Sequence, residues 1–104
     1  MDLSELKKQA DRSYDVALAK QNQFEKAKSR MLVAHDGHLF KADPETINLV
    51  GHLKSHSDTF VVLDANGNPA MIKDPESFLR ELISKNQEVL NSYHQAYQEF
   101  TRLR

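Results

Sequence analysis

The sequence contains no cysteine, and it has only three glycines and three prolines among its 104 residues. The absence of cysteine excludes disulfide scaffolds, CxxC redox proteins and zinc modules with thiolate ligands. Three isolated glycines are too few for the glycine-rich loop that binds a nucleotide phosphate. A G-x-S-x-G nucleophile motif is also missing, and we therefore expect a protein that is not an enzyme.

Long apolar runs are missing too, because the longest, residues 31–34 and 60–63, are four residues each. A membrane-spanning helix needs about 20 apolar residues, and the polar start of the chain lacks the apolar region of a signal peptide. Lys and Arg number 14 against 15 for Asp and Glu, a net charge of -1, which argues against a dedicated nucleic-acid binder. We expect one domain with no nucleic acid, membrane, cofactor or small-molecule substrate as its partner.

The first part of the chain, from Asp2 to about Arg30, has neither glycine nor proline and carries apolar residues near heptad spacing. A helix of this length measures about 42 Å, which is longer than so small a domain covers. We therefore interpret residues 1–30 as an amphipathic helix that forms a stalk for oligomerisation or partner binding. A lone solvated helix is the alternative. The apolar positions are Leu3, Leu6, Ala10, Ala17, Phe24, Ala27 and Met31.

Two β-hairpins are predicted by strand-like runs around short turns. Residues 32–35 and 38–41 flank Asp36-Gly37, and residues 60–63 and 70–73 flank Asn66-Gly67. Both dipeptides are typical of type I′ turns, which require positive φ at both central residues. Pro69 cannot donate a hydrogen bond to a neighbouring strand, so we expect it at a sheet edge or a bulge.

Two helix starts have the same chemistry, Asp43-Pro44-Glu45 and Asp74-Pro75-Glu76. Aspartate is a good N-cap, and proline suits the first helical position because its missing N–H is not needed there. The first start predicts a short helix that ends near Ser55, and the second predicts a helix that runs to nearly Arg104. The repeat of hairpin, cap and helix is either a duplication or the same turn chemistry used twice.

These elements predict an α+β fold with the order long N-terminal helix, β-hairpin, short helix, β-hairpin and long C-terminal helix. Residues 31–104 are expected to form a small ββαββα head that includes the C-terminal helix. In that head the strands make one small antiparallel sheet with the short helix on one face. The terminal helices are expected to form an antiparallel pair or an extended stalk.

His52 and His56 are four residues apart on the predicted short helix, a spacing that suits zinc or nickel. The residues between them are Leu53, Lys54 and Ser55, so the glutamate that acts as general base in H-E-x-x-H enzymes is missing. We expect no metal cofactor. A metal-dependent binding module that uses these two histidines is a weaker hypothesis.

Aromatic residues crowd the end of the last helix. Chain ends usually fray unless they dock, so these side chains either pack against the first helix or form an interface with another molecule. Together with the first helix they give the predicted interface residues, which are Leu3, Leu6, Ala10, Ala17, Phe24, Tyr93, Tyr97, Phe100 and Leu103.

Residues 30–104 also carry an ordered set of turn and cap residues around two hairpins and a closing helix rich in Tyr, Gln and Leu. In this order the chain resembles a small domain of unknown function that recurs in tail and tail-fibre-associated proteins of tailed bacteriophages. The residues that carry the resemblance are Arg30, Leu32, Val33, Gly37, Phe40, Ala42, Asp43, Pro44, Glu45, Asp64, Asn66 and Gly67.

The resemblance implies a phage structural or assembly protein associated with the tail, baseplate or fibre. Such a protein would form homo-oligomers or bind another phage structural protein, and it would be found in the virion and, during assembly, in the host cytoplasm. The domain has no established catalytic residues, so none are implied here. The alternative is a small phage-encoded effector that uses the helices or the hairpin tips to bind and inhibit a host protein.

Overall fold

The computed structural model describes residues 3–102, which form an elongated molecule with extents of 66 × 24 × 21 Å. The elements follow the predicted α+β order, and the two long helices lie at the ends of the chain. They are α1 (Leu3–Arg30), β1 (Leu32–His35), β2 (His38–Lys41), α2 (Pro44–Lys54), β3 (Phe60–Leu63), β4 (Pro69–Ile72) and α3 (Pro75–Arg102).

Both Asp-Pro-Glu sequences start helices as expected. The backbone N–H of Thr46 donates to Asp43 Oδ1 at 2.9 Å, and that of Ser77 donates to Asp74 Oδ1 at 3.3 Å. Each aspartate thus satisfies one of the N–H groups that have no partner inside the helix. Capping therefore fixes where α2 and α3 begin.

The first hairpin has the predicted type I′ turn. Asp36 and Gly37 both adopt positive φ, at 50° and 78°, which matches the turn to the twist of the flanking strands. The register pairs His35 with His38 next to the turn and Leu32 with Lys41 at the other end.

The second hairpin differs from the prediction. Among its turn residues only Gly67 has positive φ, at 82°, so the turn is not type I′. Asp64 organises a five-residue connection instead: its carbonyl accepts from the N–H of Gly67 at 3.0 Å, and its N–H donates to the carbonyl of Asn68 at 2.8 Å. The physical reason is its side chain, whose Oδ1 accepts from the N–H groups of Asn66 and Asn68, both at 2.9 Å. Such side-chain bonds compete with a tight two-residue turn.

The strands form two separate two-stranded sheets, so the prediction of one antiparallel sheet is wrong. Strand β4 also begins one residue earlier than predicted, with Pro69 opposite Leu63. Because both strands of a two-stranded sheet are edges, this position agrees with the edge expected for a proline. The two hairpins meet at one backbone hydrogen bond, from the N–H of Ala65 to the carbonyl of Leu39 at 2.7 Å.

The core lies where the inner faces of the hairpins meet α2 and the first half of α3. The rings of Phe40 and Phe78 pack edge to face at 4.7 Å between centroids. A buried polar residue, Asn86, joins α3 to the segment between β2 and α2, since its Nδ2 donates to the carbonyl of Ala42 at 2.9 Å. The largest fully buried side chains are Phe40, Phe78, Ile72, Leu82 and Val50.

Two neighbours on β2 provide a matched test of this core. Phe40 is buried and the adjacent Leu39 is exposed on the other face. We expect Phe40→Ala to lower the free energy of unfolding by about 3–5 kcal/mol, because it leaves a cavity. Leu39→Ala should change it by less than about 1 kcal/mol. Urea unfolding followed by circular dichroism measures both, and equal losses would contradict the described core.

Candidate interaction surface

Helices α1 and α3 pack against one another in antiparallel orientation. Two contacts give the register: Phe24 meets Tyr93 edge to face at 5.8 Å between ring centroids, and the ammonium of Lys20 lies 5.3 Å from the centre of the Tyr97 ring. Moving four residues toward the N-terminus of α1, from Phe24 to Lys20, therefore corresponds to moving four residues toward the C-terminus of α3, from Tyr93 to Tyr97. The two helices form a stalk, a name we use for α1 together with the second half of α3.

The face of α1 that meets α3 is displaced from the predicted apolar seam. Ala27 is buried as expected, but the other covered positions are Val16, Ala19, Lys20 and Gln23, whereas Ala17 and Phe24 are exposed. Lysine is tolerated on this inner face because its aliphatic stem packs while its ammonium lies over an aromatic ring. Lys20 is not among the apolar positions of the sequence pattern, because a charged residue there has a partner only in the tertiary structure.

A strip of apolar residues is exposed along one side of the stalk and of the adjoining first half of α3. We call Ala17, Phe24, Ile83, Leu90 and Tyr97 the apolar edge. Each member directly follows an inner residue of its own helix, and Phe24 and Tyr97 both reach across to the other helix on this side. The exposed fractions are 45% for Phe24, 44% for Ile83, 37% for Leu90 and 46% for Tyr97.

The predicted interface residues fall into four groups. Tyr93 is half-buried against Phe24, whereas Ala17, Phe24 and Tyr97 belong to the apolar edge. Leu3 and Leu6 are 82% and 52% exposed. The side chains of Ala10 and Phe100, and Leu103 as a whole, lie outside the described residues.

Leu3 and Leu6 are exposed because the described part of α3 ends before it reaches them. The contact between Lys20 and Tyr97 places Arg102, the last residue of α3, opposite Asp15. The part of α1 before Asp15 thus extends about 18 Å further, at 1.5 Å per residue. We call this part the overhang.

A second apolar surface, on the outer face of the β3–β4 hairpin, was not found from the sequence. Val61 lies opposite Met71, and Leu63 lies opposite Pro69. All four are exposed. The sequence did contain a signal for this surface, because residues 60–63 are all apolar. A strand with one face in water normally alternates apolar and polar residues, so an unbroken apolar run indicates a contact on both faces.

His38 and Asp64 join the two hairpins through their side chains. His38 Nδ1–H donates to Asp64 Oδ2 at 2.7 Å, and the carboxylate of Asp64 is almost fully covered. The hydrogen bond from His38, followed by that from the Asn68 backbone, lowers the pKa of Asp64 below its ordinary value, although burial acts in the opposite direction. The Asp64 carboxylate therefore attaches the second turn to the first hairpin.

His35 makes a similar contact with α3. Its Nδ1–H donates to Glu81 Oε2 at 3.2 Å, and its ring packs on Phe78 at 4.8 Å between centroids. The first hairpin is in this way attached to both the second hairpin and the last helix.

His52 and His56 lie side by side on α2 as their spacing predicts, with ring centroids 4.7 Å apart. Both are exposed. Across residues 3–102 no group of three or more histidine, aspartate or glutamate side chains is arranged to hold a metal ion. A third protein ligand, which zinc sites usually have, is therefore not present near this pair in the described chain.

None of the helices within residues 3–102 has the length and apolarity needed to cross a membrane. Comparison of the chain with protein-family models, with curated proteins and with solved structures gives no match. The geometry described above is therefore the basis for a functional proposal, together with the resemblance in residues 30–104.

The contact between His38 and Asp64 predicts how acid affects stability. Because the folded state lowers the pKa of Asp64, the stabilisation is fully present above the unfolded pKa of about 3.9 and is lost as the pH falls through the lower folded value. We expect Asp64→Asn to melt at a lower temperature than the native chain at pH 7, and the difference to shrink in acid. Thermal melts from neutral to acidic pH measure this.

The exposed Asp58→Asn variant is the control for that experiment, and it should follow the native chain at every pH. A difference between the native chain and Asp64→Asn that stays constant down to the lowest pH would contradict a role for the ionised carboxylate.

The histidine pair on α2 gives a prediction about zinc. Two exposed imidazoles without a third ligand form an incomplete site, so we expect equimolar zinc to leave the melting temperature of the native chain unchanged. The chain with both His52→Ala and His56→Ala should behave in the same way. A zinc-dependent rise in melting temperature that disappears in the double variant would support the metal-binding hypothesis instead.

Proposed function

We propose that this chain is a non-enzymatic structural or assembly protein of a tailed bacteriophage, associated with the tail, baseplate or fibre, and that it acts through helix-mediated contacts with other proteins. The apolar edge of the stalk is the observation that carries the mode of action. The resemblance in residues 30–104 supports the phage assignment, the location in the virion and the passage through the host cytoplasm during assembly.

The shape of the stalk supports a role in protein contact. Its apolar edge and overhang expose large side chains on regular helices, where water would normally meet polar residues. Contiguous exposed apolar surface is typical of sites where another protein binds. The outer face of the β3–β4 hairpin adds a second such surface at the other end of the molecule, which suits a component held between two neighbours.

Several titratable side chains of the head are engaged in structural hydrogen bonds, which supports a non-enzymatic role. Asp64 and His38 are engaged with one another and with the second turn, and Glu81 is engaged with His35. These contacts connect secondary-structure elements, and each has a structural purpose that needs no substrate.

Mass spectrometry of purified particles tests the proposed function. We expect peptides of this chain in particles of the phage that encodes it, in a constant ratio to the tail proteins, with a non-structural phage enzyme as the negative control. An assembly factor would be found in tail intermediates and not in finished particles. Absence from both, together with recovery on a host protein from infected cells, would contradict the proposal and favour the host-directed effector.

A further inference from the structure

The turn of the second hairpin contains the one asparagine of the chain that is followed by glycine, in Asn66-Gly67. The backbone nitrogen after an asparagine can attack the side-chain amide carbon and release ammonia. Glycine favours this reaction, because it has no side chain to hinder the approach and its backbone is the least restricted. Both residues are exposed. Asn66 is therefore the asparagine of the chain that is most open to deamidation.

The other asparagines lack these conditions. Asn68 precedes Pro69, whose nitrogen carries no hydrogen and cannot close the ring. The remaining asparagines lie inside helices, where the backbone N–H that follows each of them is held in the helical hydrogen-bond pattern. They are Asn22, Asn48, Asn86 and Asn91. The chemistry of the sequence and the described helices thus single out one position.

The structure of this turn opposes the reaction. The N–H of Gly67, which carries the attacking nitrogen, donates to the carbonyl of Asp64 at 3.0 Å. The backbone of Asn66 is fixed as well, because its N–H donates to Asp64 Oδ1 at 2.9 Å. A nitrogen whose hydrogen is bonded to the Asp64 carbonyl is not free to turn toward the Asn66 side chain or to lose that hydrogen. Ring closure therefore requires the turn to open first.

From these observations we propose that Asn66 is a spontaneous modification site, which deamidates through a cyclic imide, and that Asp64 sets the rate by holding the turn closed. The Gly67 nitrogen forms a bond to Asn66 Cγ, and the bond from Cγ to the side-chain nitrogen breaks. The proton of the Gly67 N–H leaves with that nitrogen as ammonia. Water then opens the imide to aspartate or to isoaspartate. The inference goes beyond the proposed function and does not rest on it.

The modification acts on the junction between the two hairpins. Isoaspartate places an additional carbon in the backbone between position 66 and Gly67. The bonds that Gly67 and Asn68 make with the Asp64 backbone span this link, so a longer link displaces them. Asp64 also accepts from His38 on the first hairpin. Isoaspartate at this position therefore loosens the contact that attaches the second hairpin to the first.

Peptide mapping of the full chain during incubation at mildly alkaline pH tests the inference. Trypsin cleavage after Lys54 and Lys73 gives one peptide, residues 55–73, that contains both Asn66 and Asn68. We expect this peptide to gain the mass difference between an amide and an acid, with Asn66 modified and Asn68 unchanged. The rate in the native fold should be at least about fivefold below that of the same chain unfolded in guanidinium chloride, because opening the turn breaks hydrogen bonds that contribute about 1 kcal/mol each.

Variants at Asp64 test its role in the rate. Asp64→Ala removes the side-chain acceptor for the N–H groups of Asn66 and Asn68, and we expect it to deamidate several-fold faster than the native chain. Asp64→Asn keeps an oxygen acceptor at the same place and should stay closer to the native rate. The exposed Asp58→Ala variant is the control and should deamidate at the native rate. Circular dichroism of every variant checks that the fold is retained.

Equal rates in the folded and unfolded chains would overturn the inference, as would a modified asparagine other than Asn66. A folded Asp64→Ala chain that deamidates no faster than the native chain would contradict the role of Asp64. If Asp64→Ala does not fold, the comparison of the native chain with the denatured chain decides, since it needs no variant. None of these results bears on whether the chain is found in phage particles, so the proposed function keeps its own test.

Discussion

Helix α1 covers the inner face of the second half of α3, and this contact decides which surfaces of the chain remain open. The register is given by Phe24 on Tyr93 and Lys20 over Tyr97. Because the helices are antiparallel and the described part of α3 ends at Arg102, α1 extends beyond it. Because one set of residues makes the contact between α1 and α3, a second set of apolar side chains, the apolar edge, stays exposed on one side of the stalk. Both exposed surfaces of the stalk follow from a single packing arrangement.

Helix α3 connects this stalk to the head. Its first half supplies Phe78 and Leu82 to the core, and Asn86 lies at the junction, where it bonds to the carbonyl of Ala42. The bond satisfies a buried polar group at the point where the chain leaves the head. One continuous helix thus belongs to both the stalk and the head.

The head is small, and two short sheets alone are marginally stable in water. Its hairpins are held by a few specific contacts, above all the hydrogen bond between His38 and Asp64 and the backbone bond from Ala65 to Leu39. Asp64 has a double role, because its carboxylate shapes its own turn and also joins the two hairpins. These contacts leave the outer face of the β3–β4 hairpin free, so the molecule offers apolar surface at both ends.

The sequence by itself determined the element order, the two helix starts and the first hairpin turn, because Asp-Pro-Glu and Asp-Gly act through neighbouring backbone groups. Three features depended on the tertiary structure. The second turn is shaped by the side chain of Asp64, whose fixed position includes a bond to the distant His38. Lys20 occupies an inner position because Tyr97 lies opposite it. The division of apolar residues between the inner faces and the apolar edge depends on how two helices are rotated against one another. Heptad spacing predicts that such helices pair, but the rotation is decided by contacts between residues far apart in the chain.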